Sequence, residues 1–336
     1  MVRTDVLIVG AGPAGSMCAY LLKKAGVDCL LIDHATFPRD KICGGGLTYK
    51  TWHLLDQLMP GFRYDYNPVT RIRLSVDGKA QCTFDIEHPI RIVQRKLFDH
   101  ALLQQYLALG GTFQQGALGQ IEEHPDGSIA VTLKSGQCIT CQYIVGADGS
   151  NSQVRRYLKP DTDRGILAME QYMEKQDDSI EVLLSQSYDA GGYFYRFPNQ
   201  SFDVVGFGDY TTTPEKFRRI MQENNIPEGK ARGAYIYSSL DYPLHPHILL
   251  IGDAGGFANR ITYEGIYNAF CTAQHAATAI ITHRPFCDTN APVFRRIRRE
   301  ETLCKLFYSP FSFTILRWMC HHPHLIKTIF DRKMRG

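Results

Sequence analysis

The segment that most constrains the fold lies near the N-terminus. Asp5-Val6-Leu7-Ile8-Val9 is a short apolar run with β-branched residues, which predicts a buried strand. Gly10-Ala11-Gly12-Pro13-Ala14-Gly15 follows without a break and matches G-x-G-x-x-G. Ser16 to Lys24 then reads as a helix closed by Gly26, and Val27 to Ile32 as a second buried strand ending at Asp33. This strand–turn–helix–strand unit is built to hold a dinucleotide. Gly10 permits the tight turn, Gly12 lets a pyrophosphate approach the backbone, and Gly15 lets the helix pack on the strand. The helix N-terminus faces the phosphates, and Asp33 accepts from a ribose hydroxyl.

Two later segments repeat the pattern. Tyr143-Ile144-Val145-Gly146 runs into Ala147-Asp148-Gly149-Ser150, and Ile248-Leu249-Leu250-Ile251 runs into Gly252-Asp253-Ala254-Gly255-Gly256. Each is an apolar strand ending in a glycine turn that carries an acid, Asp148 or Asp253. Three such strand ends suit an extended cofactor lying across one sheet edge. The predicted fold class is therefore α/β, a Rossmann-like dinucleotide-binding domain with α+β inserts. Its pieces are expected at 1–68, 94–160 and 245–285.

The 336 residues suggest about two domains. In the stretches 69–93 and 165–240, apolar residues alternate at Ile72, Leu74 and Val76 and again at Cys82, Phe84 and Ile86. Alternation predicts a half-exposed antiparallel sheet, read as an inserted substrate-binding domain. Its aromatic strand, Tyr193 to Phe197, suits an apolar pocket. The remainder, 286–336, reads as a helical C-terminal segment. Between 291 and 336 it holds ten Lys/Arg against three Asp/Glu, with Phe307, Tyr308, Phe311, Phe313, Trp318 and Phe330 among them. Such a segment either docks by its apolar face or lies on an anionic membrane surface. A role in nucleic-acid binding is not expected.

Hydrophobic residues at 44% and charged residues at 21% exclude a disordered chain. The opening Met1-Val2-Arg3-Thr4-Asp5 has no cationic leader pattern, so a cytoplasmic protein is expected, with peripheral contact at the inner membrane face through the basic tail. Cys138 and Cys141 form a C-x-x-C inside a strand, where residues three apart face opposite sides. Cys320-His321-His322-Pro323-His324 reads as a helix end and turn. No metal site is expected.

Taken together, G-x-G-x-x-G, the Gly146-Ala147-Asp148-Gly149-Ser150-Asn151-Ser152 stretch with Val154-Arg155, and Gly252-Asp253-Ala254-Gly255-Gly256-Phe257 with Glu264-Gly265 resemble the FAD-dependent oxidoreductases of the aromatic-hydroxylase superfamily. Within it, the loop Phe37-Pro38-Arg39-Asp40-Lys41-Ile42-Cys43-Gly44-Gly45-Gly46 resembles that of the geranylgeranyl reductase family, in a compact bacterial form. Tyr193-Phe194-Tyr195-Arg196-Phe197-Pro198 resembles its aromatic strand, and Val93-Gln94-Arg95 its arginine-bearing helix start. The resemblance implies FAD as cofactor, held by Gly10, Gly12, Gly15, Asp33, Gly44, Gly45, Arg95, Asp148, Asp253 and Gly256. It implies Cys43 and Tyr195 as catalytic residues, with Tyr193 and Phe197 against the substrate. Cys43 is either a chemical group or a small residue chosen for space. Arg260 and Tyr263 stand where the family carries Pro and Gly.

The activity this implies is reduction of C=C bonds in an isoprenoid lipid by hydride from reduced flavin. An aromatic monooxygenase and a non-catalytic flavin-bound sensor share the same cofactor motifs and stay open. A halogenase is disfavoured because its paired-tryptophan motif is absent. No second G-x-G-x-x-G is present, so the electron donor is either transiently bound NAD(P)H or another reductant.

Overall fold

The apolar N-terminal run becomes the middle of a parallel sheet. Val6–Val9 is wholly buried and pairs in parallel with Cys29–Asp33 on one side and Tyr143–Gly146 on the other. Ile248–Leu250 and Thr112–Gln115 close the two edges, giving five strands in parallel register. The central strands are apolar on both faces, as a sheet covered on both sides requires. Pro13–Lys24 and Ile266–Ile281 pack against each other beside it. The first of these begins at Pro13, three residues before the predicted start, because Pro is preformed for the first helical position. A four-stranded sheet, ordered Leu118–Glu123, Ile129–Leu133, Cys138–Cys141 and Val2–Arg3, adds a layer that sequence periodicity did not reveal.

The computed structural model describes residues 2–162, 165–188 and 192–335. The chain divides into two units: Met1–Arg39, Lys96–Arg164 and Tyr237–Arg299 form the first, and Asp40–Arg95, Gly165–Ile236 and Glu300–Gly336 the second. Residues 40–68 and 300–336 cluster with the second unit, whereas the sequence reading drew a boundary at 68 and set 286–336 apart.

The second unit is built on an eight-stranded sheet. Its order is Arg232–Ile236, Ile166–Glu174, Phe202–Asp209, Tyr193–Pro198, Ser179–Leu184, Asn67–Val76, Ala80–Ile92 and Gly46–Leu47. Every pairing is antiparallel except Ser179–Leu184 with Asn67–Val76, which run parallel. The predicted antiparallel sheet is thus mixed at one ladder. Helices Pro310–Cys320 and Pro323–Arg335 lie on it, burying Phe313, Cys320 and Ile326 with Phe84, Ile86 and Ile180 in one cluster. No helix of the described residues is long and apolar enough to cross a membrane.

Candidate active site

In the first unit, parallel pairing brings the three glycine turns to one sheet edge. Val9 is in register with Gly146 and Ile32, and Gly146 with Leu250, so the chain leaves all these strands on the same side. Backbone bonds lock the exits: Gly10 N donates to Ile32 O (2.7 Å), Ala147 N to Val9 O (2.7 Å) and Ile251 N to Gly146 O (2.9 Å). Gly10 has φ +105°, which L side chains rarely adopt, and Gly15 sits so close to the Gly10 carbonyl that any side chain there would collide with it.

Gly12 differs from these two. Its backbone is extended (φ −72°, ψ −173°), and the space above it is open except for one guanidinium nitrogen of Arg39, 3.3 Å from where a Cβ would sit. The helix that begins at Pro13 has no side-chain cap and no acid in its first turn, so its amides are free for an anion. Arg39 is held by the fully buried Asp99 (3.3 Å) and stacks over Phe37, with the guanidinium carbon 5.0 Å from the ring centroid. Its Nη1 is buried and has no hydrogen-bond partner among the described residues. An orphaned cationic donor, uncapped helix amides and a hollow that a Cβ would fill are what a pyrophosphate requires. The motif resemblance points to Arg95 for cofactor contact and shows Arg39 only as part of a loop. Arg95 is buried at the start of Arg95–Ala108, in the second unit, within electrostatic reach of Glu170.

The acids take different posts. Asp33 accepts from Ala11 N (2.8 Å) and Ala35 N (2.9 Å), tying the glycine turn to the next strand end. Asp148 accepts from Ser152 Oγ (2.5 Å) and from Gln153 N (2.6 Å), so it caps the helix Gln153–Leu158. Asp253 is half-buried, and one oxygen accepts from Ser150 Oγ at 3.5 Å while the other lies beside Gly265. Arg155, also buried, donates to the carbonyls of Ser150, Asp253 (3.3 Å) and Ala254 (2.9 Å) and lies on the Tyr237 ring. It clamps the second glycine turn to the third. Gly256, at φ +75°, ends the short helical turn Gly252–Gly255. Tyr263 has φ +53°, so it occupies a left-handed position of the kind glycine fills at little cost.

The second unit gathers the other candidates. Tyr193, Tyr195 and Phe197 alternate onto one face of their strand, with ring centroids 5.9 Å and 5.0 Å apart. Phe194 and Arg196 point to the other face, where both are buried. Cross-strand register then fixes the site. Tyr195 pairs with Gly206, and Gly206 pairs with Glu170 on the next strand. The tyrosine ring lies over Gly206, where a side chain would collide with it. The missing side chain lets the hydroxyl reach across and donate to Glu170 Oε2 at 3.3 Å.

The glycine loop meets the same carboxylate. Cys43 N donates to Glu170 Oε1 (3.1 Å), and Gly45 N donates to Cys43 Sγ (3.4 Å). The Phe197 ring packs against Gly44, leaving no room for a Cβ, and Gly45 at φ +77° abuts the Val93 carbonyl. Cys43 and Tyr195 are thus linked through a third residue, Glu170, which the sequence does not single out. Glu170 is fully buried, and burial pushes its carboxyl above the ordinary range, opposed by the Cys43 amide and by Arg232. Burial, then the Glu170 charge, raises the Tyr195 hydroxyl well above its usual value. The signal for Glu170 is an acid directly after the apolar run Ile166-Leu167-Ala168-Met169.

Residues 3–170 match the model of a FAD binding domain family. An uncharacterized protein of Methanosarcina barkeri is 31% identical over 307 residues, covering 83% of this chain and 75% of the relative. The chain belongs to this FAD-binding family. It is an FAD-dependent oxidoreductase, and FAD is its cofactor. The digeranylgeranylglycerophospholipid reductase of Methanothrix thermoacetophila is 25% identical over 83% of this chain and 78% of its own length. Among solved structures the chain also has a reductase-like neighbour, which shows a shared fold. That neighbour, a geranylgeranyl bacteriochlorophyll reductase-like protein from Thermoplasma acidophilum, superposes with a TM-score of 0.71 at 20% identity, over 100% of this chain and 88% of that one. The halogenase PltM, solved in complex with FAD, reaches 0.75 at 15% identity over 99% and 85%, so the fold is shared with other flavin chemistries.

Proposed function

We propose that the protein reduces C=C bonds of a polyprenyl chain carried on a lipid. The observation that carries this reading is the apolar aromatic row of Tyr193, Tyr195 and Phe197 beside a buried carboxyl that bonds both Tyr195 and Cys43. An isoprenoid offers the protein no polar handle along its length, so stacked rings are the surface that would hold it. The name of the Methanothrix relative supports a lipid-borne isoprenoid substrate.

Bound reduced FAD would supply the hydride, held in the first unit by Gly10, Gly12, Gly15, Asp33, Asp253 and Gly256, with Arg39 on its pyrophosphate. Arg95, Asp148, Gly44 and Gly45 are assigned to cofactor contact by resemblance. The chain's own residues supply the proton. Saturating one C=C bond takes one hydride and one proton, and forms two C–H bonds. Tyr195 and Cys43 are half-exposed and can face the substrate, whereas Glu170 is fully buried and acts through them. Tyr195 gives its hydroxyl proton and recovers one from Glu170, whose proton affinity burial raises above the ordinary carboxyl range. Cys43 positions the double bond. A substrate of this kind brings the enzyme to a membrane surface.

The test is a single turnover without oxygen: the reduced enzyme is mixed with a polyprenyl phosphate, and flavin reoxidation is followed with product mass. Reoxidation and a gain of two hydrogens are expected. Cys43→Ala should keep its FAD and lose transfer on the order of 100-fold, since a misplacement of about 1 Å costs that much. Reoxidation that needs oxygen, with one oxygen atom added to product, would establish a monooxygenase instead.

A further inference from the structure

The C-terminal helices carry more apolar surface than their docking uses. In Pro310–Cys320, Phe313, Leu316 and Cys320 recur at i, i+3 and i+7 and pack on the sheet of the second unit. Phe311, Ile315 and Trp318 recur at i, i+4 and i+7, which places them on the opposite side, at 69%, 40% and 57% exposure. A helix apolar on both sides is ordinarily buried on both. The one cation in this helix, Arg317, is turned aside to Asp77 at 2.7 Å and leaves the outer stripe uncharged. The flanking helices add Leu306 before it, and Leu325 and Ile329 after it, all exposed.

The charges around this surface indicate what covers it. Residues 300–336 hold six Lys/Arg and three Asp/Glu. Lys305, Arg317, Lys327 and Arg335 are paired with Glu301, Asp77, Asp331 and Glu87. Arg332 and Lys333 are exposed and make no ion pair among the described residues. Arg332 follows Leu325 and Ile329 at i+7 and i+3, on the same flank of Pro323–Arg335. Aromatic and aliphatic anchors edged by unpaired cations match the interface of an anionic bilayer. A second copy docked face to face would set these cations against their own kind.

We propose that the outer faces of Pro310–Cys320 and Pro323–Arg335 dock the protein on an anionic lipid surface, with Phe311 and Trp318 inserted and Arg332 and Lys333 at the headgroups. The inference rests on the reading of the substrate as lipid-borne, and it names the surface through which that lipid is met. No helix of the described residues spans the bilayer, so the contact lies in the interface plane.

The full-length holoenzyme is sedimented with vesicles of phosphatidylcholine alone and of phosphatidylcholine with 30% phosphatidylglycerol. Binding to the anionic vesicles should exceed the neutral ones on the order of 30-fold, the effect of two cations near such a surface, and should weaken with salt. Phe311→Ser with Trp318→Ser should lower anionic-vesicle binding at least about tenfold, and Arg332→Gln with Lys333→Gln should abolish the anionic preference. Both variants change exposed positions only, so their thermal midpoints should match the parent. Equal vesicle binding by the variants, or no binding by the parent, overturns the proposal. So does a parent dimer that the Phe311/Trp318 variant disperses without change in vesicle binding, which would identify a second copy as the occupant. Turnover of a detergent-dispersed polyprenyl phosphate separates the two readings. Vesicle binding without turnover leaves the docking face standing and removes the reductase, whereas turnover without vesicle binding does the reverse.

Discussion

Gly206→Ala tests the site's geometry with one methyl group. The Tyr195 ring occupies the space a Cβ would need, so the ring must move or the strands must part. Overpacking of this kind costs about 1–3 kcal/mol. Moving the ring also breaks the Tyr195–Glu170 hydrogen bond, worth about 1.5–3 kcal/mol when its acceptor is charged and about 1 when neutral. Against this, Ala in a strand gains about 0.5–1 kcal/mol over Gly from the unfolded chain. The net expectation is a loss of about 2–4 kcal/mol. The cost should exist only while the ring is present. In a Tyr195→Ala background the same substitution should be neutral or slightly stabilising, giving a coupling energy of about 2 kcal/mol or more. Urea unfolding of the four proteins of this cycle measures the coupling. FAD content is read in parallel, so that loss of cofactor is separated from loss of packing. An equal cost in both backgrounds would refute the placement of Tyr195 over Gly206, and with it the route from Tyr195 to Glu170.

Two further outcomes follow from the geometry. Gly12→Val should fold, since the backbone there is extended and only the Arg39 side-chain end must give way, yet bind FAD at least about 100-fold more weakly; a folded variant with full flavin occupancy would contradict the cradle. Glu170→Gln should alter the pH dependence of both stability and turnover. A carboxyl whose folded value is raised contributes stability that is complete below its ordinary value and is lost as pH rises through the raised one, so the variant should gain on the parent with rising pH. In single turnovers the parent should slow as pH rises through that range, and the slower variant should show no such limb.

The cofactor half was legible because it is made of backbone. Gly10, Gly12 and Gly15 act through space and dihedral angle, and their spacing is encoded in consecutive residues. The Val6–Val9 and Ile248–Leu250 runs announce their burial by composition alone. The Tyr195–Glu170–Cys43 cluster is made of side chains from two strands and one loop. Tyr195, Gly206 and Glu170 meet only because two antiparallel ladders place them abreast, and register is a property of pairing rather than of spacing along the chain. The aromatic alternation showed that Tyr193, Tyr195 and Phe197 share a face, but not what stands across from them. Arg39 was missed for a related reason. Its motif position is visible, but its task depends on Asp99, 60 residues away, holding it above Gly12.

The buried arginines show why a motif residue need not touch a ligand to be indispensable. Arg155 closes the Gly146–Arg155 signature, yet its two terminal guanidinium nitrogens donate to the carbonyls of Ser150, Asp253 and Ala254. Those carbonyls belong to the two turns that carry Asp148 and Asp253, so the guanidinium sets the distance between them. Arg196 does the same in the aromatic strand, donating to Asp203 (2.7 Å), Asp177 and Glu181 (2.9 Å each) from the face opposite Tyr195. Only a planar fork with five donors can meet several acceptors at fixed angles, and a lysine at either place would leave some of them unpaired. The other side of each sequence motif can then stay poor in charge: small residues in the glycine turns, and aromatic rings on the strand face opposite Arg196.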